Sequence, residues 1–153
     1  MDVRILLTVA YFVLAIYVYG GGVMSTLCYY KSWELVGAEE FPAVHRSVSD
    51  RILPYFLPFL VLLVFVNIVL IWFHHPAIST WLIALTAVIH LFIAGVRVTV
   101  FLPIQKQLDR AKSIELIERL LKYDRLFGSG LPASVKMIAT IAMLYQVVSA
   151  CSR

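Results

Sequence analysis

Charge is what this chain has least of. Its 153 residues carry thirteen lysines and arginines and nine aspartates and glutamates, 14% of the total, against about 25% in an ordinary soluble domain. Hydrophobic residues make up 61%, and the mean hydropathy is +0.89. A soluble fold of this size has too little interior for so much apolar surface, which argues against a soluble enzyme or a nucleic-acid binder. Disorder is also excluded, because it requires low hydrophobicity and high net charge. Cysteine is nearly absent. Cys28 and Cys151 stand alone, with no zinc-type spacing. No repeat, low-complexity tract, phosphate-binding glycine loop or Ser/His/Asp arrangement is present. What is left is a single membrane domain.

The few charges are segregated. Uncharged stretches run over Ile5–Tyr30, Ile52–Val96 and Met137–Ser152. A span needs about 20 apolar residues. The first stretch holds one helix, too long in its apolar core for a cleaved signal peptide. The second holds two, divided at His74-His75-Pro76, since proline disfavours helix in the residue before it. The third becomes long enough if it starts near Leu131, with Lys136 snorkelling about a turn inside the boundary. The expected fold is therefore an all-α integral membrane four-helix bundle, with helices near residues 5–30, 52–73, 77–102 and 131–151.

Lysine and arginine set the expected orientation. Leaving out Arg97, which lies inside a helix, ten fall on the side of the two long loops, from Lys31 to Lys136. Two, Arg4 and Arg153, fall on the other. This places the loops in the cytoplasm and both termini outside, as expected of a multi-pass protein of a plasma or inner membrane. The net charge of +4 is then a loop bias, and no nucleic-acid partner is implied. Cys28 and Cys151 should lie near opposite faces of the bilayer, beyond the ~6 Å reach of a disulfide. The segment 113–127 predicts an amphipathic cytoplasmic helix. Its apolar stripe is Ile114, Ile117, Leu120 and Leu121, and Glu115–Arg119 and Glu118–Lys122 stand at i,i+4 spacing. That stripe either buries itself under the bundle or on the membrane surface, or binds a partner.

Polar groups inside the spans are candidate functional residues, because they are costly in lipid. Thr86, His90 and Arg97 share one face of the third helix. His90 is read either as a proton-transfer group or as a packing histidine bonded to a neighbouring helix. Arg97 either snorkels or holds an oxygen of a ligand. Asn67, Thr86, Tyr145 and Gln146 are candidate ligand contacts, or interhelical hydrogen-bond partners. His45, before a helix bearing Pro54 and Pro58, either stands at a candidate pocket mouth or is a solvated histidine at a helix entry; each proline frees a carbonyl four residues earlier. Gly20-Gly21-Gly22 allows close helix packing or leaves room for a ligand. No two histidines offer a same-depth pair for haem, no metal site is expected, and no cofactor is identified.

Certain short motifs carry a resemblance. Phe41, His45, Pro54 and Pro58 precede a third span ending Pro103-Ile104-Gln105-Lys106-Gln107-Leu108. A helix reading Ile117-Glu118-Arg119-Leu120-Leu121-Lys122-Tyr123-Asp124-Arg125 follows, and then a fourth span. This resembles the anthrone-oxygenase-like group of four-helix membrane proteins, over about residues 40–150. The resemblance implies a bundle fold and oxidation of a lipophilic polyaromatic without a bound cofactor. The expected function is binding or oxidation of a small lipophilic or aromatic molecule within the bundle, with His90, Arg97 and His45 carrying the chemistry. The alternatives are a non-catalytic subunit or scaffold with a membrane partner, and a small transporter working as a homo-oligomer.

Overall fold

The computed structural model describes residues 2–152; Arg153, counted above among the outer charges, lies outside them. The chain is all-helical. Helix α1 (Val3–Met24) continues through a π-helical turn, Ser25–Tyr29, and short turns to Leu35. Helix α2 is Phe41–Phe73 and α3 is Thr80–Val96. A second π-helical turn, Arg97–Phe101, leads from α3 into the short α4, Leu102–Leu108. Helices α5 (Ile114–Phe127) and α6 (Leu131–Cys151) complete the fold. Four continuous helical rods are long and apolar enough to cross a membrane, and the chain is a multi-pass membrane protein. Helix α1 packs on α2 and α6, and α3 packs on the same two, so the spans form a closed ring of antiparallel neighbours.

Local chemistry explains the ends. Asp2 caps α1 by accepting from the Arg4 N–H at 2.9 Å, and Ser113 caps α5 by accepting from the Leu116 N–H. Helix α2 starts at Phe41, eleven residues before the uncharged stretch, because Pro42 sits in its first turn, where no backbone donor is missed. At 33 residues and 1.5 Å per residue, α2 is about 50 Å long, well beyond the ~30 Å apolar core of a bilayer. The rods therefore project past the membrane at the end bearing the two long connections.

That projection creates two stacked cores. The membrane core joins Tyr11, Ala15, Leu63, Leu70, Ile83 and Met143. A second core at the loop end joins Trp33, Phe41, Phe101, Leu108, Ile117 and Leu120. Helix α5 buries Ile117, Leu120 and Leu121 there, so its stripe is used inside the fold, while Ile114 stays exposed. The two expected i,i+4 ion pairs of α5 do not close; Arg119 instead lies over the Tyr123 ring. Lys112 ties the loop end together by donating to the carbonyls of Glu34 and Val36. Cys28 and Cys151 are both free and exposed. Trp72 and Trp81 are exposed beside the turn that joins α2 and α3.

The loop-end half of α2 is mostly exposed. Between His45 and Leu63 it buries no residue, and Pro54 and Pro58 lie in that interval. A proline inside a helix removes one backbone bond and bends the rod. Tyr17 supports the bend, its hydroxyl donating to the Tyr55 carbonyl at 3.1 Å and its ring packing on Phe59. Toward the loop end α2 stays largely exposed, with Tyr17 of α1 against it.

Candidate functional site

A line of polar side chains crosses the interior of the bundle. Helix α3 presents Thr86 and His90 one turn apart, α2 supplies Asn67 and α6 supplies Lys136. All four are buried. Lys136 Nζ donates to His90 Nε2 at 3.0 Å. An ammonium group has no acceptor, so the imidazole proton resides on Nδ1, which faces Asn67 Oδ1 at 3.4 Å. The Asn67 amide donates to Thr86 Oγ1 at 3.0 Å, and Thr86 donates to the Ile83 carbonyl at 2.8 Å. The donors all run one way, from Lys136 to Ile83, which fixes the tautomer and the ring plane of His90. Tyr11 meets that ring edge-on, with centroids 6.4 Å apart, and its buried hydroxyl has no hydrogen-bond partner.

Beside this line lies a cavity of about 270 Å³, just under the ~300 Å³ lower bound of most small-molecule sites. Phe56, Leu60 and Val64 of α2 and Ile93 of α3 form apolar walls. His90, Arg97, Ser129 and Lys136 gather on its polar side. Val61 and Ala94 also line it and are exposed on the outer surface of the bundle. The cavity therefore reaches the lipid-facing surface between α2 and α3. Gly22, on the facing rod, also lines it, with Ser129 close against that glycine.

A second cluster closes the cavity at the loop end. Asp124 of α5, fully buried, accepts from Thr26 Oγ1, from the Ser129 N–H at 3.2 Å and from Ser129 Oγ at 3.3 Å. Arg97 donates to Ser129 Oγ at 3.1 Å and lies 3.8 Å from Asp124. Both π-helical turns serve this cluster, since Thr26 belongs to the first and Arg97 opens the second. Such widened turns rotate side chains out of α-helical register; here they aim both groups at one carboxylate.

The expected site residues separate into three groups. His90 and Arg97 line the cavity. Asn67 and Thr86 stand behind His90 and do not. His45, Tyr145 and Gln146 are elsewhere. His45 does not sit at a pocket mouth and is not solvated: it is 1% exposed, packed between Trp33 and Phe41. Its Nδ1 donates to Asp109 at 2.8 Å, and Nε2 lies 2.7 Å from the Gln105 side-chain amide. The helical start at Phe41 pulls it into the loop-end core. Tyr145 is 72% exposed and faces away from the bundle. Gln146 clamps the turn end, accepting from the Ser79 N–H and donating to Ser79 Oγ.

Lys136 corrects the sequence reading most sharply. Snorkelling was expected, yet it is 3% exposed and bonded to His90. Position on α6 decides this, because its stem points into the ring rather than along the lipid face. Withdrawing it leaves nine basic residues at the loop end against two, and the charge bias keeps its sign. Asp124 and Ser129 were also missed as site residues. Their sequence signals were an acid on the apolar side of an amphipathic helix and the Gly128-Ser129-Gly130 run behind it. Among the described residues, no three histidine, cysteine or acidic side chains converge as a metal site requires.

No family model, no curated protein and no solved structure matches this chain. The resemblance to the anthrone-oxygenase-like group rests on its short motifs alone.

Proposed function

We propose that the bundle binds a lipophilic small molecule in the cavity between α2 and α3, with the polar end of the ligand against Lys136 and Arg97. One observation supports this above all. A largely apolar cavity, open to the lipid side, ends on convergent polar groups held in fixed orientation, which is the usual make-up of a small-molecule site. The Lys136–His90 pair gives that end a chemical capacity. The Lys136 ammonium, held by His90 along a 3.0 Å line, can donate a hydrogen bond or a proton to a ligand oxygen. Lys136 makes the contact, His90 positions it, and Asn67 and Thr86 hold His90.

The test is equilibrium binding of an uncharged alkylated naphthol to the purified protein in neutral detergent. Ala133→Leu, which adds bulk to a buried residue lining the cavity, should weaken binding about ten-fold or more. Tyr145→Ala should leave it unchanged. Equal affinity in all three proteins would place the probe on the outer surface and overturn the reading.

A further inference from the structure

The charges around the cavity do not balance. Its polar side holds two cations, Lys136 and Arg97, whose like charges repel across it. The sole buried carboxylate among the described residues is Asp124. It already accepts from Thr26 and Ser129 and pairs with Arg97. Lys136 has no acidic partner; its one side-chain partner is the His90 ring. An ammonium has three donors, and the two left over belong to a group that lines the cavity. The first turn of α6, a 21-residue helix, adds to the imbalance. Ala133 in that turn lines the cavity, so the positive end of the helix dipole lies beside it and offers no negative charge. A buried charge persists only when it is paired and hydrogen-bonded.

Resting on the binding reading above, we propose that the ligand is an acidic amphiphile, a single-chain lipophilic carboxylic acid whose carboxylate is the counterion of Lys136. The carboxylate accepts from the two free Lys136 donors, beside Arg97 and Ser129. The chain runs along Phe56, Leu60 and Ile93 and leaves through the gap at Val61 and Ala94. That gap faces lipid, where such a molecule partitions, so no aqueous entry is needed. The volume suits a headgroup and the first part of a chain; the remainder lies in the bilayer.

The experiment compares dodecanoic acid with dodecanol as probes of the full-length protein in neutral detergent, at a pH where the free acid is ionised. Both are also measured in the Ala133→Leu, Lys136→Met and Lys136→Arg variants. The wild type should bind the acid about ten-fold or more tightly than the alcohol, the scale of a desolvated charge-assisted hydrogen bond. Lys136→Met should erase that preference, and Lys136→Arg should keep part of it. Equal affinity for the two probes, with both weakened by Ala133→Leu, overturns the acid assignment and leaves the binding reading intact. Two probes both insensitive to Ala133→Leu overturn the binding reading itself. The acid-against-alcohol comparison needs only the wild type, so it stands even if Lys136→Met fails to fold.

Discussion

Lys136 donates to His90 inside the bundle, 3.0 Å away, and neither side chain has an acidic partner. A basic pair in such a place is costly, and the two residues should depend on each other. His90→Phe leaves the Lys136 ammonium and the Asn67 carbonyl oxygen unpaired, and should cost roughly 2–5 kcal/mol. The double change His90→Phe with Lys136→Met removes both polar groups and should recover most of that loss. A double-mutant cycle of unfolding in mixed micelles measures the coupling. Simple additivity would mean that the contact is not made.

Asp124 is the keystone of the second cluster, with Thr26, Ser129 and Arg97 all directed at it. Asp124→Ala leaves Arg97 without its carboxylate and the Ser129 hydroxyl without an acceptor, while Thr26 keeps the Gly22 carbonyl, and should destabilise the protein by roughly 3 kcal/mol. Arg97→Ala should cost less, because its side chain is one-third exposed and water already shares its charge. Thermal unfolding of both variants checks the order; Arg97→Ala as the more damaging change would contradict it.

The three consecutive glycines should not respond alike. A methyl group at Gly20 meets nothing within 4 Å, so Gly20→Ala should be neutral or stabilise by up to about 1 kcal/mol. At Gly21 it would fall 2.6 Å from the Phe56 ring, and at Gly22 2.7 Å from Ser129 Oγ. Phe56 is half-buried and has room to swing, whereas Ser129 is held by its bonds to Asp124 and Arg97. Melting temperatures should therefore fall in the order Gly20→Ala, Gly21→Ala, Gly22→Ala. Equal losses at all three would show that the close approach to Ser129 is not tight.

His45 is part of the loop-end core, not of the cavity. His45→Leu should reduce stability by about 1–2 kcal/mol, since Asp109 and Gln105 lose a buried hydrogen-bond partner. Affinity for a cavity ligand should stay at the wild-type value in titrations of the folded variant. A selective loss of binding would restore His45 to the site.

The four spans were legible because charge segregation and span length are properties of the chain itself. Thr86, His90 and Arg97 were legible as one face because helical spacing fixes it. Lys136 was not, since a lysine near the end of an apolar stretch looks the same whether its stem points to lipid or into the ring. That choice depends on the rotation of α6 against α3, a tertiary property. Asp124 was hidden for a related reason: the two π-helical turns that bring Thr26 and Arg97 to it shift the register in ways spacing does not reveal. His45 misled because its helix begins eleven residues before the apolar run, where hydropathy carries no signal. Tyr145 and Gln146 are neighbours on α6 with opposite fates, one facing outward and one clamping Ser79.

The central claim is that the space between α2 and α3 receives a lipophilic ligand. Photolabelling with an aliphatic diazirine probe, followed by peptide mapping, tests it most directly. The account predicts label concentrated on Phe56, Leu60 and Ile93 and sharply reduced by Ala133→Leu. Label spread over outward-facing residues such as Trp72, Trp81 and Tyr145, and unchanged by that substitution, would contradict it.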